Sequence, residues 1–302
     1  MVINMYIYRL NLCFLHRHLA SMQAQLTEIR ELQRASWNKF SPGWKKWDSL
    51  MMNFMRPIGD EIIQRLQLAP AAAVLDVASG TGEPGLTIAA LRPAGHVLSI
   101  DIAEAMLAQA RENAAHRGLR NFETQLADVC ELPFADNSFD AISCRFGFMF
   151  FPDMALAARE MARVLKPGGR LATAVWAGPE QNFWVTASMG IINQHLQLAP
   201  PPPGAPGMFR CAQPGLIADL FRQAGLRHVA ETAVATTLPA GTAAGYWEMM
   251  TDVAAPVAGA LGQATPGQQA AIQRDVLALI QARYPSGPVE IPAGTLVISG
   301  EK

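Results

Sequence analysis

Between Val74 and Trp176 the chain alternates short apolar runs with amphipathic segments, and this pattern constrains the fold more than any other feature of the sequence. The runs have the length of buried strands, and the segments between them carry apolar residues at helical spacing. Such alternation indicates a doubly wound, mostly parallel sheet with helices on both faces. The predicted strands are AVLDVA, HVLSI, FETQLAD, FDAISCRF and RLATAVW, and helices are predicted to begin at Pro84, Glu104 and Met154.

The segment VLDVASGTGEPG, residues 74–85, follows the first predicted strand and contains glycines in the spacing G-x-G-x-x-G. Gly80 and Gly82 let the backbone turn sharply and approach a ligand without interference from a Cβ atom. Ligands of doubly wound sheets lie where the first strand meets its helix. Because the spacing alone is typical of a dinucleotide site, an NAD-dependent oxidoreductase stays an alternative at this point.

Three acidic residues at predicted strand ends favour a nucleoside ligand that has no pyrophosphate. Asp76 is unfavourable beside a pyrophosphate but favourable beside a cationic amino-acid or sulfonium group. Asp101 is placed to accept hydrogen bonds from an unphosphorylated ribose. Asp128 can accept a hydrogen bond from the exocyclic amine of adenine.

Four stretches carry the most specific pattern, namely VLDVASGTG, SIDIAEAMLAQAR, ADVCELPFADNSFDAI and AAREMARVLKPGGRLATAVW. Together they resemble the class I S-adenosylmethionine-dependent methyltransferases, in particular the C-methyltransferase branch of ubiquinone and menaquinone biosynthesis. The upstream WNKFSPGWKKWDSLM resembles the approach helix of that branch, with Trp44 and Lys45 in place of its usual tyrosine and aspartate. The resemblance covers about residues 36–177. It implies a Rossmann-like, seven-stranded sheet, S-adenosyl-L-methionine as cofactor and methyl transfer as the reaction.

The resemblance also implies a role for individual residues of the cofactor site. The residues expected around the methionine part are Ala78, Gly80, Gly82 and, through its backbone, Arg145. Trp44 is expected to contact the cofactor, and Asp76 is expected near its cationic part. Ala78 stands where the family commonly has a glycine. The residues expected at the nucleoside part are Asp101 at the ribose hydroxyls, Ile102 and Val129 around the adenine, and Asp128 at its edge. Met106 is a further expected cofactor contact.

Composition points to a small-molecule substrate. Lys and Arg number 24 against 25 Asp and Glu, so the chain has no general attraction to nucleic acid or to anionic lipid. The four cysteines form no C-x-x-C pair, which predicts no metal site and is typical of a reducing, cytoplasmic location. The first residues are apolar but interrupted by Arg9, His16, Arg17 and His18, so no stable membrane insertion is expected.

The sequence predicts four regions and helical insertions after the core. The regions are an extension of unclear role (1–21), N-terminal helices (22–70), an S-adenosylmethionine-binding core (71–177) and the remainder of the sheet (178–302). The insertions, about 178–213 and 242–284, are expected to form a cap over the substrate.

Aromatic residues of these insertions are the predicted acceptor site. They are Trp176, Phe183, Trp184, Phe209 and Trp247. An apolar ring or chain would bury well among them, so the expected acceptor is aromatic, quinone-like or isoprenoid-like, methylated on carbon or oxygen. A base is needed only for a neutral acceptor, and the candidates are His195, Tyr246, Glu180 and Asp153. A non-catalytic partner protein that binds S-adenosylmethionine, with the cap as its interface, stays the other alternative.

Overall fold

The computed structural model describes the backbone of residues 2–302 and the side chains of residues 23–302. The predicted extension, residues 1–21 with His16 and His18, lies outside the described side chains. The helices are α1 (Val2–Lys46), α2 (Asp48–Leu66), α3 (Gly85–Leu91), α4 (Glu104–His116), α5 (Met154–Val164), α6 (Phe183–Leu196), α7 (Leu216–Gln223), α8 (Ala243–Val253), α9 (Ala255–Leu261) and α10 (Pro266–Arg283). The strands are β1 (Ala73–Val77), β2 (His96–Asp101), β3 (Phe122–Leu126), β4 (Phe139–Arg145), β5 (Leu165–Trp176), β6 (Arg227–Gly241) and β7 (Val289–Glu301).

The predicted seven-stranded, doubly wound sheet is confirmed. The strand order is β3-β2-β1-β4-β5-β7-β6. Strands β1 to β5 pair in parallel, and β7 runs antiparallel to both of its neighbours. The strand order reverses between β1 and β4, so their carboxyl ends meet where doubly wound sheets bind ligands.

Burial of both sheet faces explains why the central strands read as continuous apolar runs. In β1, Val74, Leu75 and Val77 are each at most 1% exposed. A strand covered by helices on both sides needs apolar residues at successive positions rather than at alternate ones. On one face α2 packs against β4, β5, β6 and β7.

The aromatic stretch WNKFSPGWKKW belongs almost entirely to α1, which runs through it to Lys46 and includes Pro42. The helix is held there by packing on α8. Gly43 lies so close to the backbone of Asp252 that a Cβ atom would collide with it. Asp252 also accepts hydrogen bonds from Lys46 Nζ at 2.8 Å and from Trp47 Nε1 at 2.8 Å. These contacts fix the joint between α1 and α2.

Both predicted insertions are helical and pack on each other beside the antiparallel edge of the sheet. α6 contacts α9 and α10, and α8 contacts α9, α10 and β6. The proline-rich run at 198–207 forms neither helix nor strand, as successive prolines require.

Candidate active site

A cavity crosses the carboxyl ends of β3, β2, β1 and β4 and has about 950 Å³ of empty space, its open mouth included. Loops that follow these strands line one side, and residues of α1 and α2 line the other. The lining residues are Arg30, Gln33, Trp37, Trp44, Met52, Met55, Val77, Ala78, Ser79, Gly80, Thr81, Ile100, Asp101, Ile102, Met106, Ala127, Asp128, Val129, Arg145, Phe146, Gly147, Phe150, Phe151 and Pro152. Nine of the predicted cofactor residues are among them: Trp44, Ala78, Gly80, Asp101, Ile102, Met106, Asp128, Val129 and Arg145.

The loop between β1 and α3 has the left-handed backbone that its glycines predict. Gly80 has a φ of +55°, Gly82 +108°, and Ala78 also lies in this region at +52°. Ala78 and Gly80 line the cavity, but Gly82 does not. A Cβ atom on Gly82 would lie 2.8 Å from Leu86 Cδ1, so this glycine lets the loop pack against α3. The structure thus gives Gly82 a packing role, and its contact with the ligand stays a prediction.

Asp76 was expected near the cationic part of the ligand, and the structure places it elsewhere. Its side chain is fully buried beneath the loop and does not line the cavity. One carboxylate oxygen accepts a hydrogen bond from the Gly85 N–H at 3.1 Å and the other from Ser143 Oγ at 2.6 Å. Burial raises the pKa of Asp76 to about 7, although both hydrogen bonds oppose that rise. Asp76 thus anchors the first turn of α3 to the neighbouring strand β4.

Asp101 ends β2 and lies in the cavity wall. Its carboxylate accepts hydrogen bonds from the backbone N–H of Gly80 at 3.0 Å and of Ala103 at 2.9 Å. Burial raises its pKa, and these backbone donors work against the shift. Each carboxylate oxygen has a further lone pair, so Asp101 can also accept hydrogen bonds from a ligand. The glycine loop and this acid are therefore one hydrogen-bonded unit.

The β3 end of the cavity combines apolar surface with one carboxylate. Ile102, Met106 and Val129 line it. Asp128 accepts a hydrogen bond from the Cys130 N–H at 2.8 Å, and its other oxygen lies 3.0 Å from Arg30 Nε of α1. That second contact is an ion pair without hydrogen-bond alignment, because both atoms lack a hydrogen-bond partner. Asp128 Oδ2 is therefore ion-paired and keeps a lone pair that can accept a hydrogen bond.

The β4 end of the cavity is aromatic, and sequence reasoning missed most of it. Phe146 directly follows β4 with a φ of +64°, and its ring stacks on Trp176 with centroids 4.3 Å apart. Trp37 of α1 meets Phe150 edge-on at 5.2 Å. The other apolar residues at this end are Trp44, Met52, Met55 and Phe151. The signal that could have found the phenylalanines is the run FGFMFFP after the fourth strand.

Comparison with known proteins decides the family. A family model described as a methyltransferase domain matches residues 74–169. Demethylmenaquinone methyltransferase of Listeria monocytogenes is 34% identical over 163 residues, which are 53% of this chain and 68% of that protein. The chain belongs to the class I S-adenosylmethionine-dependent methyltransferases.

Solved structures show the same fold as this methyltransferase. The YcgJ protein from Bacillus subtilis has a TM-score of 0.53 at 21% identity, over 82% of this chain and 98% of that one. An S-adenosylmethionine-dependent methyltransferase from Aquifex aeolicus has a TM-score of 0.50 at 24% identity, over 65% of this chain and 92% of that one. With the family shown, S-adenosylmethionine is the cofactor, and neither the oxidoreductase nor the non-catalytic alternative is retained.

Unpartnered polar atoms test whether the cavity fits this cofactor. Among the described side chains, Arg30 Nε, Trp44 Nε1, Ser79 Oγ and Asp128 Oδ2 are buried in the cavity wall without a hydrogen-bond partner. Buried polar atoms nearly always have partners, so such a cluster indicates a ligand. Asp128 Oδ2 is an acceptor for an adenine amine, and the tryptophan and serine are donors for a carboxylate. The cavity therefore fits S-adenosylmethionine, which supplies a methyl group on a sulfonium.

The five predicted acceptor residues of the methyltransferase do not line this cavity. Trp176 and Trp184 are 4% exposed and pack on each other and on Phe54. The ring of Phe183 lies 4.5 Å from the guanidinium of Arg283. Phe209 and Trp247 are half-buried against the hydrophobic core. The prediction is corrected because these large side chains fill space between the added helices and the sheet, and only Trp176 reaches the cavity, through Phe146.

The four candidate bases of the methyltransferase also lie outside the cavity. His195 Nε2 pairs with Asp275 of α10 at 2.8 Å. Tyr246 is buried against Ser188 and the Trp184 carbonyl oxygen, and burial raises its pKa to about 12. Asp153 accepts a hydrogen bond from the Leu156 N–H and caps α5, and Glu180 lies exposed in a short turn. Each candidate is thus corrected to a structural or surface residue.

Among the helices whose residues the structure describes, none combines the length and apolar character that a membrane crossing requires.

Proposed function

We propose that this methyltransferase methylates a small, largely apolar acceptor on carbon or oxygen, the acceptor being aromatic, quinone-like or isoprenoid-like. The observation that carries the proposal is the aromatic and methionine lining of the β4 end. A ring or chain would bury well against Phe146, Met52 and Met55, with few polar groups to orient it. The Listeria relative is named for methylating demethylmenaquinone, an acceptor of this chemical class.

The order of the strands supports placing the acceptor at the β4 end. The cavity passes from β3 through β2 and β1 to β4. We propose that Ile102, Met106, Val129 and Asp128 hold the adenine at the β3 end, and that Asp101 holds the ribose. The methionine part then lies over the β1 loop, which leaves its methyl group facing Phe146.

The remaining cofactor contacts follow from the same placement. We propose that Ala78 and Gly80 lie against the methionine part, and that Trp44 contacts it from α1. In this proposal residues 71–177 form the cofactor-binding core and residues 22–70 cover it. Methyl transfer is an in-line displacement that makes the sulfur neutral, so the protein mainly aligns the reactants and excludes water.

Methyl transfer from labelled cofactor to a panel of aromatic, isoprenoid, nucleic-acid and protein acceptors tests the proposed function. The expected result is preferred turnover of the aromatic or isoprenoid members. Preferred turnover of nucleic acid or protein would overturn it.

A pair of variants tests the position of the acceptor. Phe146→Leu should lower kcat/KM for the preferred acceptor by about tenfold or more, roughly the 1.4 kcal/mol of a lost aromatic contact, with cofactor affinity unchanged within about threefold. Trp247→Leu is the matched control, because Trp247 lies outside the cavity. Equal losses in the two variants would contradict this placement.

A further inference from the structure

The side chain of Arg145 lies between two pockets. It lines the cofactor cavity at the β4 end and also lines a neighbouring polar pocket between α2 and α3. Met52 is the other residue that lines both. The two side chains touch, with Arg145 Nη2 3.3 Å from Met52 Sδ. Together they separate the aromatic end of the cavity from the polar pocket.

The guanidinium of Arg145 lacks an ionic partner. Among the described side chains, no carboxylate lies within 4.0 Å of it, whereas Arg30, Arg117 and Arg163 are each ion-paired. A thioether sulfur is a weak acceptor and satisfies at most one of five N–H donors. The side chain is partly buried and also faces the polar pocket, so its remaining N–H groups are open to water or to an anionic ligand.

None of the nearest acids forms an ion pair with Arg145: two are bonded to other groups, and Asp48, which has an unpartnered buried oxygen, acts on it only at longer range. Asp76 is bonded to Ser143 and to the Gly85 N–H. Glu83 is bonded to Arg117 at 2.6 Å. Their charges, with that of Asp48, raise the pKa of Arg145 against the larger lowering effect of burial. The guanidinium therefore offers a cation at the place where the acceptor is proposed to bind.

We infer that Arg145 binds the ionised oxygen of the acceptor, which is therefore an aromatic hydroxyl or an enol. This inference rests on the proposed function and narrows its substrate class. The alternative anion, the carboxylate of the cofactor, has unpartnered donors of its own in Trp44 Nε1 and Ser79 Oγ. One cation among apolar side chains suits an apolar ring with one anionic oxygen.

The same contact activates the nucleophile without a base from the protein. A guanidinium beside the oxygen favours its anion, so the hydroxyl proton leaves to solvent before transfer. The acceptor's electron pair, on the oxygen or on the ring carbon conjugated with it, then bonds to the methyl carbon. The S–CH3 pair stays on sulfur, which becomes a neutral thioether. Oxygen transfer gives a neutral ether, and carbon transfer is completed when that carbon loses its proton to solvent.

Spectroscopic titration of 4-nitrophenol, whose ionised form is yellow, tests the inference in the complex with S-adenosylhomocysteine. In the wild-type protein the bound phenol should titrate at least about one pH unit below the free phenol. Arg145→Gln should abolish that shift and weaken phenol binding about tenfold or more, and Arg145→Lys should keep part of both effects. Arg56→Gln is the matched control, because this exposed arginine lines only the polar pocket. Melting temperatures establish that each variant is folded.

The outcomes separate the inference from the proposed function. Phenol binding that is equally tight and equally shifted in Arg145→Gln would overturn the inference and leave the proposed function standing. Loss of S-adenosylhomocysteine affinity in Arg145→Gln, equal to the loss of phenol affinity, would overturn it as well, because Arg145 would then hold the cofactor carboxylate. Failure of the wild-type complex to bind any member of a panel of phenols would overturn the inference, and methyl transfer to the acceptor panel described above then tests the proposed function separately.

Discussion

Asp101 shows at the scale of one residue how the ligand site and the loop depend on each other. Because its carboxylate also accepts hydrogen bonds from Gly80 and Ala103, its loss affects both loop and ligand. We expect Asp101→Asn to weaken S-adenosylmethionine binding by about 1.5–3 kcal/mol, the range for a hydrogen bond to a charged group, and to lower the melting temperature. Titration calorimetry measures the affinity. Glu123→Gln on the exposed side of β3 is the control, and unchanged affinity in Asp101→Asn would contradict the ribose role.

Asp76 makes stability depend on pH. Its folded-state pKa of about 7 lies above the ordinary value, so the folded state binds this proton more tightly than the unfolded state does. Its contribution to stability is present below about pH 4 and is lost as the pH rises to 7. The free energy of unfolding of wild type relative to Asp76→Asn should fall by up to about 1.4 kcal/mol per pH unit across that window and then level off. Urea unfolding from pH 4 to 8 measures this free-energy difference, and the exposed Asp60→Asn variant is the control. A difference between wild type and Asp76→Asn that stays constant with pH would contradict the raised pKa of Asp76.

At the scale of elements, the part of α1 from Arg30 to Trp44 lines the cavity. Arg30, Gln33, Trp37 and Trp44 all line the cavity. A variant that begins at Met22 keeps all four, so its cofactor affinity and melting temperature should match those of the full chain.

A variant that lacks more of α1 is compared with the variant that begins at Met22. A variant that begins at Trp37 lacks Arg30 and Gln33, and its Kd for S-adenosylhomocysteine should rise about tenfold or more. Equal affinity of these two shortened chains would show that this side of the cavity contributes nothing to cofactor binding. A loss already present in the chain that begins at Met22 would contradict the expectation for that variant.

The positions of the strands also explain which site residues could be located from the sequence. Asp101 ends β2, Ile102 follows it, and Asp128 and Val129 follow β3. Parallel strands bring their carboxyl ends to one edge, so position in the chain located these residues. Asp76 lies within β1, where its side chain points into the core instead. The role of Gly82 depends on a contact with Leu86, and spacing alone does not specify whether a glycine serves a ligand or a neighbouring helix.

At the scale of the whole molecule, the fold was predictable and the acceptor end was not. Alternating strands and helices predict a layered fold, because each strand and each helix must bury its apolar face against a neighbouring layer. The sequence does not show whether an aromatic side chain belongs to the core or to a cavity wall. Trp184 and Phe146 are both large and apolar, yet Trp184 fills the core and Phe146 lines the cavity. Only the packing of α1, α2 and the later helices on the sheet decides between these places.

A crystal structure of the complex with S-adenosylhomocysteine would show directly how the cofactor lies in the cavity. We predict adenine between Ile102 and Val129 with its amine at Asp128, and the sulfur at the β4 end, facing Phe146 and the space beside Arg145. A sulfur that faces away from Phe146, or an adenine at the β4 end, would contradict the proposed placement of cofactor and acceptor.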